Sequence, residues 1–248
     1  MILTYQSKLL HKELIAPHIY HLICTRPDNA EWNFTAGQYM IFHVPQADGH
    51  PVRRLYSIAS PPSQKESVDF VIEIVPNGIG SMYVESLKEG DMITLQGPAG
   101  MFIHKTSLRP SIYLATGTGV APMHSMIHTL LRDTPNNQMV YLFWGLKTCE
   151  DIYLKKEFTE LAQQHANFYF RTCFSRIEDM KTVAEDIVAY TELGRVTIGL
   201  EKLLASSNTK PDGYDYYLCG SQHVVEALRE YLQAASVPKE QVFFEKFT

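Results

Sequence analysis

Cysteine is scarce and scattered: the four residues Cys24, Cys149, Cys173 and Cys219 form no CxxC pair. The ligand spacing of a zinc ribbon or an iron–sulfur cluster is therefore missing, and any redox chemistry must come from an organic cofactor. Long apolar runs are missing too. No stretch of the 248 residues reads as a membrane span, and Met1-Ile2-Leu3-Thr4-Tyr5 lacks both a basic region and an extended apolar core, which predicts a cytoplasmic protein. Lys and Arg (22) are outnumbered by Asp and Glu (27) and form no run. The net charge of −5 thus gives no electrostatic footprint for nucleic acid or a membrane surface. Internal repeats and low-complexity tracts are absent. What is present, 45% hydrophobic and 20% charged residues, is the composition of a globular chain with length for two ordinary domains.

The rhythm of the chain changes near its middle. Up to about residue 104, short apolar runs (Leu14-Ile15-Ala16, Ile19 to Cys24, Tyr39 to Val44, Leu55 to Ala59, Phe70 to Val75, Met92 to Leu95) alternate with turn signals such as Pro27-Asp28-Asn29, Ala36-Gly37 and Gly90-Asp91. With only one plausible helix, Ser81 to Lys88, this spacing predicts an antiparallel β-barrel or sandwich over residues 1–104. From about residue 108, continuous apolar runs (Ile112 to Thr116, Val140 to Trp144, Phe168 to Phe174, Tyr214 to Cys219, Val242 to Phe244) alternate with helical stretches near 123–131, 151–165, 198–206 and 224–234. Strands buried on both faces and separated by helices predict a parallel-sheet α/β domain over residues 105–248, reached through a linker at 105–110.

Five short motifs carry the chemistry. In Arg54-Leu55-Tyr56-Ser57, alternation along a strand puts Arg54 and Tyr56 on one face, so a fixed charge, a stacking ring and a hydroxyl converge. That outline suits a flavin, and it equally suits an ordinary half-buried strand. Pro76-Asn77-Gly78-Ile79-Gly80-Ser81 joins a strand to a helix; Gly78 and Gly80 admit close approach, Ser81 is a candidate N-cap, and free amides there attract a pyrophosphate or simply cap a turn. Ala115-Thr116-Gly117-Thr118-Gly119-Val120-Ala121-Pro122 lies between a strand and a helix whose first turn suits Pro122. It lacks the third glycine of the dinucleotide fingerprint, so the pattern supports a dinucleotide site only in its strand–loop–helix context. Ser175-Arg176 ends a strand at the carboxyl edge, where a hydroxyl and a guanidinium fork can hold a ribose 2′-phosphate or can sit in solvent. Cys219-Gly220 ends another strand, with the thiol either facing a ligand or serving as a small buried hydrophobe.

Taken in order on an all-β half followed by an α/β half, these motifs resemble the ferredoxin–NADP reductase family over nearly the whole chain. The resemblance implies an FAD-binding antiparallel Greek-key barrel, an NADP-binding domain and a flavin ring held in the cleft between them. It implies that Tyr56 stacks on the isoalloxazine, with Leu55 beside it, Ser57 near N5 and Arg54 on the pyrophosphate. The backbone of Ile72, Glu73 and Ile74 lines the flavin edge; Gly80, Ser81 and Met82 hold the FAD phosphates, with Thr116 near the ring. Gly117, Thr118, Gly119, Ala121 and Pro122 meet the nicotinamide nucleotide's pyrophosphate, Ser175 and Arg176 its 2′-phosphate, and Cys219 and Gly220 its nicotinamide. Ser57, Cys219 and Glu245 are the expected catalytic groups, and no metal is expected. The implied activity is hydride transfer from NADPH to FAD and then single electrons to a ferredoxin or flavodoxin, by a monomer. An oxygenase component or free flavin as acceptor, and an electron-relay subunit without nicotinamide turnover, are the alternatives. Two departures stand out: no methionine follows the Cys219-Gly220 pair, where Val224 and Val225 stand, and the chain ends in Phe247-Thr248 rather than a tyrosine.

Overall fold

The protein is described from a computed structural model covering residues 3–26, 33–133 and 137–247. The turn expected at Pro27-Asp28-Asn29 lies outside the described residues, as does Thr248. Backbone contacts divide the chain into two compact units, Met1–His104 with Ala121–Thr134, and Lys105–Val120 with Pro135–Thr248.

The first unit is built on β1 (Leu3–Ala16), β2 (Ile19–Thr25), β3 (Tyr39–Val44), β4 (Val52–Ser57), β5 (Ser67–Glu73) and β6 (Met92–Ala99), with helix α1 (Ile79–Ser86) between the last two. The strands pair antiparallel in the order β4-β3-β6-β1-β2-β5. Insertion of β6 between β1 and β3 is a Greek-key return. A bridge between Ile58 and Phe70 joins the two ends of the sheet and closes a barrel. Inside it, Leu9, Leu22, Met40, Phe42, Ile58, Phe70, Ile93 and Leu95 form one core with Val84 and Leu87 of the α1 region. Fully burying a side chain of this size contributes roughly 1.5–3 kcal/mol, so the barrel is stabilised chiefly by its filling.

The boundaries differ from expectation in informative places. β1 begins far ahead of Leu14: Ser7 and Leu9 are fully buried while Gln6, Lys8 and Leu10 between and beside them are exposed, an alternation that the polar Ser7 conceals in the sequence. The strand expected at Phe70 to Val75 runs instead from Ser67 to Glu73; beyond it Ile74 N–H donates to His18 O (2.7 Å) and Asn77 adopts φ +59°.

The second unit holds β7 (Ser111–Thr116), β8 (Val140–Leu146), β9 (Phe168–Phe174), β10 (Thr191–Leu193), β11 (Asp215–Ser221) and β12 (Val242–Phe247). Helix α2 (Val120–His128) follows β7; α3 (Lys155–Gln164), α4 (Glu185–Val188), α5 (Val196–Ser206) and α6 (Gln222–Ala234) follow in order. All six strands are parallel, in the order β10-β9-β8-β7-β11-β12. The three-residue β10 and the four-residue α4 are too short to leave a periodic signal in the sequence. Strand order reverses direction between β7 and β11, so the carboxyl ends of these neighbours flank the switch point, the place where open α/β sheets bind ligands.

Residues 121–134 gather with the first unit through side chains reaching backbone. His124 Nδ1 lies 2.8 Å from Ala59 O, to which it donates, and Ser125 Oγ donates to Ser60 O at 2.7 Å. Both acceptors lie just beyond β4. No described helix is long and apolar enough to cross a membrane.

One cation secures α1. Lys12 Nζ, from β1, donates to Val84 O (2.8 Å), Glu85 O (2.7 Å) and Leu87 O (2.9 Å), the terminal carbonyls that a short helix leaves without partners. It also lies 4.9 Å from the Tyr20 ring centre. Partial burial lowers the Lys12 pKa, which the nearby Glu85 and Asp91 carboxylates oppose. Lys12→Met keeps the apolar stem and removes the donors; loss of about 1–3 kcal/mol is expected from urea denaturation. An unchanged midpoint would show that α1 is held by packing alone.

Candidate functional site

In the first unit, the alternation of β4 has the expected result: Arg54 and Tyr56 are half-buried on one face, whereas Arg53 and Leu55 are exposed on the other. The Tyr56 ring meets Phe42 edge-on at 4.8 Å and 82°, so the barrel core fixes its orientation. Burial raises the Tyr56 pKa against the opposing effect of Arg54, and the phenol remains a neutral donor. Arg54 Nη1 donates to Arg53 O at 2.8 Å. Ser57 closes the strand, buried, in register with Tyr39.

Helix α1 begins beside these groups. A Cβ on Gly80 would fall 2.5 Å from Tyr56 Oη and 2.9 Å from Arg54 Cγ, so only glycine allows the helix start to come this close. The expected N-cap role of Ser81 is corrected by the structure: the cap position is Gly78, with no side-chain cap. Ser81 lies inside the first turn, and its Oγ accepts from Val75 N–H at 2.8 Å, tying the preceding loop back onto the helix. The first-turn amides are consequently left without a capping oxygen, next to a guanidinium and a phenol. This donor set suits a pyrophosphate. Met82 differs from its neighbours, because its N–H already donates to Gly78 O at 2.9 Å; what it presents is an exposed side chain.

Ile72 and Glu73 pair with Tyr20 and Ile19 of β2. On their other edge the final bridge is Phe70 with Ile58, so that edge of residues 72–74 has no strand partner among the described residues. Ile72 turns its side chain into the core, Glu73 is exposed and Ile74 is half-buried.

In the second unit Thr116 to Gly119 and Cys219 to Gly220 meet at the switch point, whereas Ser175 and Arg176 lie two strands away, beyond β9. Thr116 ends β7, and Gly117, Thr118 and Gly119 form a tight turn leading into α2, where Ala121 and Pro122 are buried. A Cβ on Gly119 would collide with the Cys219 carbonyl, and one on Gly220 with Thr116 Oγ1. The close approach that these glycines permit is therefore first of all between the end of β7 with the loop after it and the carboxyl end of β11. Cys219 and Glu245 are side by side in the register of β11 with β12. Burial, reinforced by Glu245, pushes the Cys219 thiol well above its ordinary pKa, so it remains a protonated, compact group. Phe247 pairs with Ser221 at the end of β12.

Ser175 and Arg176 are exposed beyond β9. The Ser175 hydroxyl donates to Leu146 O at 3.2 Å, and Arg176 N–H donates to Lys147 O at 3.0 Å, clipping this turn to the end of β8. The Arg176 guanidinium has no ion pair among the described residues. Two residues that motif reading overlooked also belong here: Trp144 Nε1 and Tyr153 Oη both donate to Gly117 O, at 2.9 and 3.0 Å. A tryptophan in an apolar run and a tyrosine before a helix look like core, and no sequence pattern marks a bond to a backbone carbonyl.

An uncapped helix start beside the edge-packed Tyr56 in the first unit, and a glycine loop at a parallel-sheet switch point in the second, are arrangements suited to phosphate-bearing cofactors such as a flavin and a nicotinamide nucleotide. The profile of the oxidoreductase FAD-binding domain matches residues 6–104 and that of the oxidoreductase NAD-binding domain residues 113–230. Ferredoxin–NADP reductase B of Sorangium cellulosum is 30% identical over 247 residues, covering 98% of this chain and 97% of that protein. The chain belongs to the ferredoxin–NADP reductase family. The reductase component of propane 2-monooxygenase from Rhodococcus jostii is 31% identical, covering 98% of this chain but 63% of the relative. This chain likewise spans 60% of the corresponding mycobacterial components. The fold of a Neisseria gonorrhoeae ferredoxin–NADP+ reductase with bound FAD and NADP superposes with a TM-score of 0.83 at 18% identity, covering 98% of both chains.

Gly80→Ala tests the first half of the site. Either Tyr56 or Arg54 must be displaced, so FAD affinity is expected to fall about tenfold or more, by the usual penalty of overpacking. The ratio of flavin to protein absorbance after gel filtration reads this directly. Full flavin content would show that the contact of Gly80 with Tyr56 and Arg54 is incidental.

Proposed function

We propose that this chain oxidises NADPH through FAD and passes the electrons singly to a small redox protein, a ferredoxin or flavodoxin. The observation that carries the reading is the uncapped start of α1, held against Arg54 and Tyr56 by Gly80. When bound, FAD would supply the chemistry, because a flavin can accept one hydride, an electron pair with its proton, and release the two electrons one at a time.

The chain's own residues bind and orient. Tyr56, fixed edge-on by Phe42, offers its face to the ring, whereas Leu55 points its side chain to the opposite face of β4 and could contribute only its backbone. Arg54 and the amides of Gly80 and Ser81 neutralise the pyrophosphate, and Met82 contributes apolar contact. The open backbone edge of Ile72, Glu73 and Ile74 offers donors and acceptors to the ring's polar rim. Ser57 holds a hydroxyl at the strand end, and Thr116 does so at the end of β7. The loop from Gly117 to Gly119, with the first turn of α2 at Ala121 and Pro122, receives the pyrophosphate of the nicotinamide nucleotide. Cys219 and Gly220 shape the nicotinamide pocket, and Glu245 places a carboxylate beside the neutral thiol where it can orient or share a proton.

The preference for NADPH is assigned to Ser175 and Arg176. A guanidinium without an ion-pair partner among the described residues, on a turn fixed by its backbone, is available to a phosphate. An oxygenase component is the second reading for the acceptor, favoured by the named monooxygenase reductases among the relatives. A basic docking patch receives little support from Lys246, whose Nζ donates to Glu226 at 2.9 Å.

Purified protein reconstituted with FAD should be yellow and should bleach rapidly with anaerobic NADPH. A yellow protein reduced by neither NADPH nor NADH would favour a relay subunit and sink the proposal. For the nucleotide preference, the double variant Ser175→Ala, Arg176→Ala should raise KM for NADPH about tenfold or more while leaving KM for NADH unchanged. Equal changes for both cofactors would remove the 2′-phosphate assignment.

A further inference from the structure

The Gly117 carbonyl is gripped from three sides. Gly117 adopts the left-handed φ of +52°, and its carbonyl accepts from Val120 N–H where the turn enters α2, from Trp144 Nε1 at 2.9 Å and from Tyr153 Oη at 3.0 Å. The two side-chain donors come from different segments. Trp144 is fully buried on β8, whereas Tyr153 lies in the loop before α3. Their rings meet edge-on at 4.7 Å and 78°, which restricts both.

The local chain is shaped to bring Tyr153 inward. Thr148 and Asp151 close a capping box ahead of it, and Leu154 after it is held at φ +52°, a left-handed conformation that a branched aliphatic residue adopts only under compulsion from its surroundings. The result of that strained turn is a 4% exposed tyrosine whose hydroxyl ends on the glycine loop. A peptide unit is planar and trans, so the Gly117 carbonyl and the Thr118 N–H point in opposite directions. Fixing one aims the other.

We propose that Trp144 and Tyr153 are positioning residues for the nicotinamide nucleotide. By holding the Gly117 carbonyl, they order the glycine loop and aim its amides before the pyrophosphate arrives, so that less conformational entropy is lost on binding. The proposal rests on the reading of this loop as the pyrophosphate site.

The test uses the FAD-loaded full chain. Tyr153→Phe retains the ring against Trp144 and removes only one donor; Trp144→Phe removes the other. Each is expected to raise Kd for NADP+ and KM for NADPH about two- to tenfold, the equivalent of one neutral hydrogen bond. Turnover at saturating NADPH should not change. Affinity for 2′-AMP, which carries the 2′-phosphate but no pyrophosphate, should also remain at the wild-type value. A general loosening of the domain would weaken both ligands or lower kcat. Unchanged NADP+ affinity in both variants, equal weakening of 2′-AMP, or a fall in kcat at constant KM would each overturn the proposal. Wild-type protein that binds neither NADP+ nor NAD+ would refute the loop assignment itself, and the proposal with it; normal wild-type binding with unaltered variants would refute the proposal alone.

Discussion

Close backbone approach at the ends of β7 and β11 is the constraint on which the nucleotide-binding half depends. Neighbouring parallel strands ordinarily keep their following loops apart by the bulk of side chains. Here Gly119 lies against the Cys219 carbonyl and Gly220 against Thr116 Oγ1, so the two loops touch with nothing between them. That contact fixes where α2 begins and which groups stand at the switch point. It also explains a pair of motifs separated by about a hundred residues of sequence: each glycine is required by the other loop, independently of any ligand.

The barrel unit reaches the same end with different parts. Gly80 allows the start of α1 to reach Tyr56 and Arg54, and Ser81 spends its hydroxyl on the loop behind it rather than on the helix. In both units an aromatic ring is oriented by packing, Tyr56 by Phe42 and Tyr153 by Trp144. If these groups hold a pyrophosphate as proposed, few charged side chains are needed, because backbone amides and a single guanidinium complement such a group. The energetic burden on the protein is placement, which agrees with a family whose difficult chemistry resides in its cofactors.

The legible parts of the fold were those where burial imposes a period. β7, β8 and β11 are covered on both faces and read as apolar runs over most of their length, and β9 does so apart from Arg171 and Thr172. β1 was mostly hidden, since its outer positions carry Gln6, Lys8, His11 and Glu13 and its inward ones include Ser7 and Lys12. β10 was too short to register, pairing only through Thr191 to Leu193 with β9. In the site, alternation placed Arg54 and Tyr56 correctly because β4 is regular; Ser81 was misplaced because a serine near a helix start satisfies a capping pattern whether or not its hydroxyl points that way. Trp144 and Tyr153 could not be found by pattern. Their contribution is a bond to a carbonyl created by tertiary packing, and neither residue type nor spacing encodes its target.

The chemistry left to Cys219 follows from its surroundings. A reactive cysteine needs an electropositive, partly open environment that favours the thiolate. Cys219 has the opposite: it is buried, and the nearest ionisable group along the adjacent strand is the Glu245 carboxylate, so both influences hold the proton on sulfur. Nucleophilic attack by this residue is disfavoured on both counts. A small, polarizable, neutral side chain at the end of β11 can instead set the width of the space beside Gly220, and the carboxylate that suppresses its ionisation is in register with it on β12. Cys219 and Glu245 are best understood as a coupled pair, the first controlling shape and the second charge.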